Sequence, residues 1–140
     1  MNKGFRFFLL IAIATIVGVL TTCSQQTPTS ISDRINMFIT SLNGDRTNTW
    51  QNLGSSVPNP SAFDANYWNT QFAPADEPFS FSGTNGTSNP SDVEGNITGT
   101  NYPSLLHKFV MENDGSGTDN WKIQSIQHQT GSGFTDYPGL

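Results

Sequence analysis

The spacing of the hydrophobic positions changes once along the chain, near Pro78. Between residue 31 and this proline, apolar residues recur every three or four positions, as they do on one face of a helix. After the proline, apolar and polar residues alternate, as they do in a strand with one buried face. Because predicted helices precede predicted strands, the pattern favours an α+β fold with helices packed on one face of an antiparallel sheet.

A first helix is predicted directly after Ser30. Ser30 and Asp33 fit a capping arrangement, in which a side-chain oxygen and an acid three residues later satisfy free backbone amides. The apolar stripe over the next three turns consists of Ile31, Ile35, Phe38, Ile39 and Leu42. The pair Asn43-Gly44 is predicted to end this helix with a left-handed cap.

Two shorter helices are predicted before Pro78. Asp45 can cap a helix that carries Trp50 and Leu53 and stops at Gly54. A third helix is predicted over residues 62–72, with a proline just before it and Asp64 as a helix-start residue. Its aromatic side chains are spaced for a single face: Phe63, Tyr67, Trp68 and Phe72.

Four strands are predicted after Pro78. Alternation runs through residues 79–81, 93–97, 105–111 and 121–128, which segments rich in Gly, Asn and Asp separate. The last two strands are joined by residues 113–120, which have the composition of a hairpin loop. The tail over residues 130–140 has little pattern and is predicted to be loose or to wrap the surface.

The amino terminus carries the pattern of a secretory signal. Lys3 and Arg6 precede an apolar run over residues 7–20, which Cys23, the single cysteine of the chain, closely follows. As a helix this run would be about 21 Å long, too short for a hydrocarbon core of about 30 Å. The sequence therefore predicts export through a signal peptide.

The segment Leu20-Thr21-Thr22-Cys23 resembles the lipobox of bacterial lipoproteins. The resemblance implies that the signal is cut before Cys23 and that this cysteine carries lipid, with palmitate among its acyl chains. The alternative is an ordinary signal peptide or uncleaved anchor with an incidental cysteine. Ser24 resembles sorting signals that favour the outer membrane over the inner one. The predicted divisions are a signal (1–22), a lipidated cysteine and tether (23–30), a domain (31–128) and a loose tail (129–140).

Composition restricts the partners of the mature chain. Lys3 and Arg6 leave with the signal, so four cations remain against eleven acids, a formal charge of −7. An acidic domain with so few cations is a poor candidate for nucleic acid, because phosphate binding needs clustered Lys and Arg. With its only cysteine acylated, the mature chain holds no disulfide, and its single domain must be stabilised by packing alone.

Two sequence segments carry a second resemblance. A helical segment that ends in SLNGD, followed by strands that close on FVMENDGSGTDNWKIQSI, is similar to the NTF2-like, cystatin-like superfamily. The markers are Leu42, Gly44-Asp45 and Trp121-Lys122-Ile123, and the resemblance covers residues 31–128. It implies a long helix cradled by a curved antiparallel sheet in a cone. The superfamily includes isomerases and polyketide cyclases that place acids, histidine and tyrosine inside that cone.

A candidate pocket follows from this resemblance. If the strand face of His107, Phe109 and Met111 lines the cone, His107 can act as a general base or a hydrogen-bond donor. The alternative, which we favour, is a partly buried histidine satisfied by one hydrogen bond, because no acidic partner can be assigned to it. The remaining candidate pocket residues are aromatic, and we favour a role in the core for them: Trp50, Tyr67, Trp68 and Trp121.

No catalytic residue, cofactor or metal ligand is assigned. A nucleophile motif is absent from the sequence, and His107 and His128 lack the spacing of a zinc site. The segment from Asp114 resembles a calcium loop only in part, because Asp119 stands where glycine is required and Ser125 where glutamate is required. A plain hairpin loop is the favoured interpretation.

A candidate dimer face lies on the opposite side of the last two strands. Leu106, Val110 and Ile126 are predicted to oppose the side of Phe109 and Trp121. Helices cover only one face of a single sheet. The other face must therefore be exposed, covered by the tail through Phe134 and Tyr137, or buried in a second copy.

The function expected from the sequence is that of a membrane-anchored envelope lipoprotein. Its domain is predicted to bind a ligand or to assemble with a protein, neither of which the sequence identifies. An enzyme of the isomerase or cyclase type using His107 is one alternative, and a surface-exposed adhesin or antigen is another.

Overall fold

The computed structural model describes residues 30–85, 91–114 and 120–140, so the predicted signal and Cys23 lie outside the described residues. The helical elements are α1 (Ile31–Leu42), the 3-10 helices Arg46–Asn52, Pro60–Ala62 and Pro74–Asp76, and α2 (Ala65–Gln71). The strands are β1 (Ser80–Asn85), β2 (Val93–Thr98), β3 (Leu105–Asn113), β4 (Trp121–Thr130) and β5 (Gly133–Asp136). The five strands form one open antiparallel sheet in chain order, which confirms the predicted α+β class.

Helix α1 has the predicted bounds and the predicted start. The backbone amide of Asp33 donates to Oγ of Ser30 over 3.1 Å, and the buried stripe faces the sheet. The predicted left-handed cap is wrong, because Asn43 has a φ of −91° and Gly44 is not among the described residues of positive φ. Its amide donates to carbonyls of α1, and the Arg46 guanidinium bonds the carbonyl of Leu42 over 2.8 Å. These contacts satisfy carbonyls that a left-handed cap would have served.

The next two predicted helices are present with changed form or bounds. The segment after Asp45 is a 3-10 helix, in which the amide of Thr47 donates to Oδ1 of Asp45 over 2.9 Å. The third helix begins later than predicted, because Asp64 accepts from the amides of Asn66 and Tyr67 and so fixes the start of α2.

A bulge between β3 and β4 changes which residues face the core. Val110 pairs with Ser125, whereas Met111 pairs with Ile123, so β4 holds one extra residue between these pairs. The alternation is shifted by this residue, and Ile126 lies opposite Phe109 with none of its surface exposed. The prediction that Ile126 belongs to an outer dimer face is therefore wrong.

The carboxyl-terminal tail is not loose. Residues 133–136 form β5 against residues 127–130, after a turn in which Gly131 has a φ of 60°. Tyr137 follows directly and is buried in the core. The prediction of a loose tail is wrong, because Tyr137 and the four residues of β5 hold the tail in place. Four strand residues are too short a pattern to recognise in the sequence.

One core lies between α1, α2 and the inner face of the sheet. The ring of Phe38 on α1 meets the rings of Trp68 on α2 and Phe109 on β3 edge to face, at centroid distances of 5.1 and 5.8 Å. Such pairs stabilise a core beyond the area they bury. In the part of the chain that the structure describes, no helix is long and apolar enough to span a membrane.

The sheet begins at the edge strand β1 and ends at the short edge strand β5. On β4, the outer side is paired with β5 at one end and bridged by Leu53 at Ile123, where the amide of Gly54 also donates to the Ile123 carbonyl over 2.9 Å. At the opposite edge, β1 pairs with β2 and with no other strand among the described residues.

Candidate functional site

The His107 side chain lies on the inner face of β3 and is fully enclosed, with 0% of its surface exposed. Its Nδ1 is 2.8 Å from the carbonyl oxygen of Leu105. Because a carbonyl only accepts, Nδ1 carries the proton and Nε2 of the neutral ring is an acceptor. The hydroxyl of Tyr137 donates to that Nε2 over 2.8 Å.

The half-buried Tyr102 completes a cluster with these two residues, here called the His–Tyr cluster (His107, Tyr102 and Tyr137). The Tyr102 hydroxyl lies 3.3 Å from that of Tyr137 and 3.5 Å from Nε2 of His107. Phe72 packs against the cluster, its ring centroid 5.5 Å from that of Tyr137. Three polar side chains are thus hydrogen-bonded in an aromatic setting, where His107 and Tyr137 are buried and Tyr102 is half-buried.

Burial sets the protonation of the cluster. Desolvation lowers the pKa of His107 to about 4, the Leu105 carbonyl opposes this, and His128 on the neighbouring strand adds to it. Burial likewise raises the pKa of Tyr137. It is also the largest cause of the raised pKa of Tyr102. At neutral pH the imidazole is therefore neutral and both phenols keep their protons.

The predicted acid–base role of His107 needs a route to a substrate. The geometry gives the imidazole a tyrosine partner within hydrogen-bond reach, but both ring nitrogens are already bonded inside the protein. Because both ring nitrogens are bonded, His107 links β3 to Tyr137, the residue that follows β5. Sequence reasoning found His107 but missed Tyr137, because a single tyrosine in a patternless tail gives no periodic indication.

The other candidate pocket residues are not gathered around His107 at an opening. Trp68 and Phe109 belong to the interior of the core, and Met111 is buried beside them. Tyr67 is half-buried and donates to the Pro138 carbonyl over 3.0 Å, while Trp121 is half-buried against the core. Trp50 lines a separate groove of about 380 Å³ that Leu53 and Lys122 also line.

The outer face of β3 keeps two of the three predicted dimer residues. Leu106 and Val110 are half-buried on this face. Lys108 lies between them, 3.1 Å from Oδ2 of Asp92 and with its ammonium 6.0 Å from the ring centre of Phe134. The face is thus partly covered from within the chain.

Arg46 is a buried residue whose guanidinium contacts several elements, and the sequence analysis missed it. Its guanidinium bonds the Leu42 carbonyl at the end of α1, the Phe72 carbonyl at the end of α2, and Oδ1 of Asn69 over 3.0 Å. It also lies 2.7 Å from Oε1 of Glu77. A cation at two helix carboxyl termini satisfies free carbonyls and opposes both helix dipoles.

The other cations of the domain are also engaged within the protein. Arg34 is buried on α1, where its Nε donates to the Trp121 carbonyl over 2.8 Å, and burial lowers its pKa. Lys122 donates to the Gln51 carbonyl, and Lys108 is paired with Asp92. Among the described residues, acids without a cation partner therefore dominate the surface.

A groove of about 320 Å³ lies between α1 and the free edge of β1. Ser32 and Asn36 line it from the helix, and Phe81, Ser82 and Gly83 from the strand. A shallow depression shares Asn36 and continues over the exposed side of α1, where Met37 is 51% exposed between Asp33 and Asp45. This continuous surface of groove and depression is here called the α1–β1 surface.

The described residues contain no group of three or more His, Cys, Asp or Glu side chains placed to hold a metal ion. The rejected calcium loop falls largely on residues 115–119, which lie outside the described residues. Comparison with protein-family models, curated proteins and solved structures gives no match for the chain. The superfamily resemblance therefore rests on the sequence segments quoted above.

Proposed function

We propose that the chain is a lipid-anchored protein of the cell envelope whose domain binds another protein rather than converting a small molecule. The observation that carries this proposal is the enclosure of His107, whose two ring nitrogens are bonded to Leu105 and Tyr137. His107, the residue best suited to catalysis, thus stabilises the fold. We therefore place the binding site for a partner on the outer surface.

The proposal extends to the finer fold. An α-helix against the inner face of an antiparallel sheet agrees with what the NTF2-like resemblance implies. In that superfamily the enclosed volume is where small molecules are handled. Here Phe38, Trp68 and Phe109 meet ring to ring in the corresponding position, which supports a filled cone without a pocket.

The anchor is proposed from the sequence at Cys23, with the outer membrane favoured by Ser24. Two or more acyl chains give stable membrane attachment, whereas one gives marginal binding. Intact-mass measurement of the protein isolated from membranes tests this: acyl chains on an amino-terminal Cys23 are expected, and Cys23→Ser should lack them. Protease treatment of intact cells then separates a surface-exposed adhesin from a periplasmic protein.

Native mass spectrometry of the full-length protein, extracted gently from its own membrane, tests the binding function. We expect a protein adduct and no retained small molecule. A small molecule that survives extraction and is lost in His107→Gln would contradict the proposal. A matched Tyr67→Phe variant controls for loosening of the fold, since Tyr67 lies beside the same region but makes no bond to His107.

One observation favours the isomerase or cyclase alternative. The Tyr137 hydroxyl donates to the His107 imidazole over 2.8 Å, and such a pair can transfer a proton when it is exposed to substrate. This alternative requires the cluster to open. Slow exchange of the His107 ring proton in the native protein would count against such opening, and rapid exchange would favour it.

A further inference from the structure

We propose that the free edge of β1 is the binding site and that its occupant is an extended, Lys- or Arg-bearing segment of a partner protein, which pairs as a sixth strand. The inference rests on the proposed protein-binding function and names its site and the chemistry of the partner. Strand addition is a known mode of peptide recognition, in which main-chain hydrogen bonds give affinity and alternate side chains give specificity.

The two edge strands of the sheet, β1 and β5, differ in their protection against pairing. The strand β5 has only four residues and ends in Asp136, and a short, charged edge resists pairing. The strand β1, with the sequence SFSGTN, has six residues, no charged residue and no proline, and its register with β2 is continuous. Of the two edges, β1 is therefore the one suited to pairing.

One side chain, that of Asn43, already imitates an added strand beside Phe79. The Asn43 amide group donates to the Phe79 carbonyl over 2.7 Å, and its oxygen accepts from the Phe79 amide over 2.6 Å. Backbone groups of successive strand residues point to alternate sides. Phe81 and Gly83 therefore present their N–H and C=O groups to the same side as Phe79, as a short ladder beyond Asn43.

The shape and polarity of the α1–β1 surface also suit an added strand. The groove of about 320 Å³ lies next to the edge of β1, and Ile35, Phe81 and Val93 line it together with polar side chains of α1 and β1. Alternate side chains of a strand added to β1 would point toward the face on which this groove lies. The groove thus offers both apolar and polar contacts to such side chains.

Charge selects among partners for this site. Asp33 and Asp45 bound the depression around Met37, and the cations of the described domain are engaged elsewhere. Both carboxylates accept hydrogen bonds from neighbouring residues, and among the described residues neither forms a salt bridge. A cationic segment is attracted to this surface, whereas a second copy of this acidic chain is repelled from it.

The probe is a seven-residue peptide of alternating threonine and valine with lysine at each end, and a matched peptide has glutamate at each end. Amide hydrogen exchange of the full-length protein in detergent micelles is followed by NMR. With the lysine peptide we expect exchange at Phe81 and Gly83 to slow by about tenfold or more, and exchange at Ser82, which already faces β2, to change little. The glutamate peptide should bind more weakly.

Two variants locate the effect. Ser82→Lys places a charge on the free edge, and Asn96→Lys places the same charge on the cross-strand partner of Ser82, inside the sheet. We expect Ser82→Lys to weaken binding of the lysine peptide by about tenfold or more, and Asn96→Lys by about twofold at most. Equal weakening in both variants would mean that net charge, and not strand pairing, controls binding.

Three outcomes overturn the inference. Unchanged exchange at Phe81 and Gly83 with both peptides at millimolar concentration would exclude the edge. Protection that is present without peptide and rises with protein concentration would assign the edge to a second copy. If Ser82→Lys retains the native protein adduct at the wild-type level, the binding function stands and this site for it falls.

Discussion

Nε2 of His107 and the hydroxyl of Tyr137 lie 2.8 Å apart, which joins the middle of the sheet to the end of the chain. The pair joins the residue after the last strand to the core. Without this bond, β5 would be held by its ladder with β4 and by the Tyr137 amide, which donates to the Ile126 carbonyl over 3.0 Å. The stability of the carboxyl-terminal segment therefore depends on a side-chain contact in the interior.

Tyr137→Phe tests this dependence. The substitution keeps the ring but removes the close donor to Nε2 of His107, which is left with only the Tyr102 hydroxyl at 3.5 Å, so we expect the free energy of unfolding to fall by about 1–3 kcal/mol. Urea denaturation measures it. Tyr67→Phe removes a bond to the Pro138 carbonyl nearer the surface and should cost about 0.5–1 kcal/mol. Equal losses in the two variants would contradict a special role for the buried pair.

Stability should depend on pH through His107. Burial lowers its pKa in the folded state from 6.5 to about 4. The unfolded chain therefore binds a proton as pH falls below about 6.5, while the folded chain does not until about 4, and the free energy of unfolding falls across this window. Between pH 7 and 5 the expected loss is about 2 kcal/mol.

Urea denaturation at several pH values measures this slope. In His107→Gln the contribution of this residue is absent, so the decline between pH 7 and 5 should be smaller by about the same 2 kcal/mol. Carboxylates add their own effect mainly below pH 5, which is why the comparison ends there. An identical slope in both proteins would show that the imidazole charges freely in the folded state.

Arg46→Ala should be among the most damaging substitutions in the domain. It leaves carbonyls at the ends of α1 and α2 without a donor and removes a buried cation, so we expect a loss of about 3–5 kcal/mol. Arg46→Lys should recover less than half, because an ammonium group lacks the planar fork that reaches several carbonyls.

Glu77→Gln is the matched control for Arg46. It removes only the ion pair, whose carboxylate side chain is 32% exposed, and should cost less than about 1 kcal/mol. Thermal unfolding ranks the three variants. A loss in Glu77→Gln as large as that in Arg46→Ala would mean that the ion pair, and not the capping of helix carbonyls, is the main contribution.

Gly95→Ala and Gly133→Ala should differ although both are strand glycines. A Cβ at Gly95 would lie 2.3 Å from both the Cα of Gly83 and the Ser82 carbonyl oxygen, whereas a Cβ at Gly133 meets nothing within 4 Å. We expect a loss of about 2–3 kcal/mol for the first and a change within about 0.5 kcal/mol for the second. Chemical denaturation with similar midpoints would contradict the close approach of β1 and β2.

Val110→Asp tests self-association through the outer face of the sheet. Val110 is half-buried there, so a charge should reduce the fraction of dimer about tenfold or more if two copies meet through this face. Light scattering over a range of protein concentrations gives the mass. An unchanged mass would exclude a dimer through this face, and Ser82→Lys provides the control at the sheet edge.

The sequence predicted the elements better than their connections. The stripe from Ile35 to Leu42 and the Ser30 cap are strong local patterns, and α1 begins and ends as predicted. Alternation likewise located β1 to β4. The bulge was not predictable, because one extra residue in β4 leaves the local pattern intact and only changes which face Ile126 occupies.

The interior polar contacts were the least predictable part. His107 was recognised as a strand residue on the buried face, but its partner Tyr137 comes from a segment without periodicity. In the sequence, Arg46 has the local pattern of an ordinary charged residue after a helix. Only the tertiary fold brings the ends of α1 and α2 to its guanidinium. Contacts of this kind depend on long-range geometry that propensity and periodicity do not contain.

The difference between the two edge strands has a consequence for stoichiometry. Polymerisation by strand pairing needs two usable edges on each molecule, one to receive a neighbour and one to offer itself to the next. The edge strand β1 has six residues and no charge, whereas the edge strand β5 has four residues and ends in Asp136. A short, charged edge is a poor template for pairing, so a strand added at β1 is expected to end the sheet rather than to start a fibre.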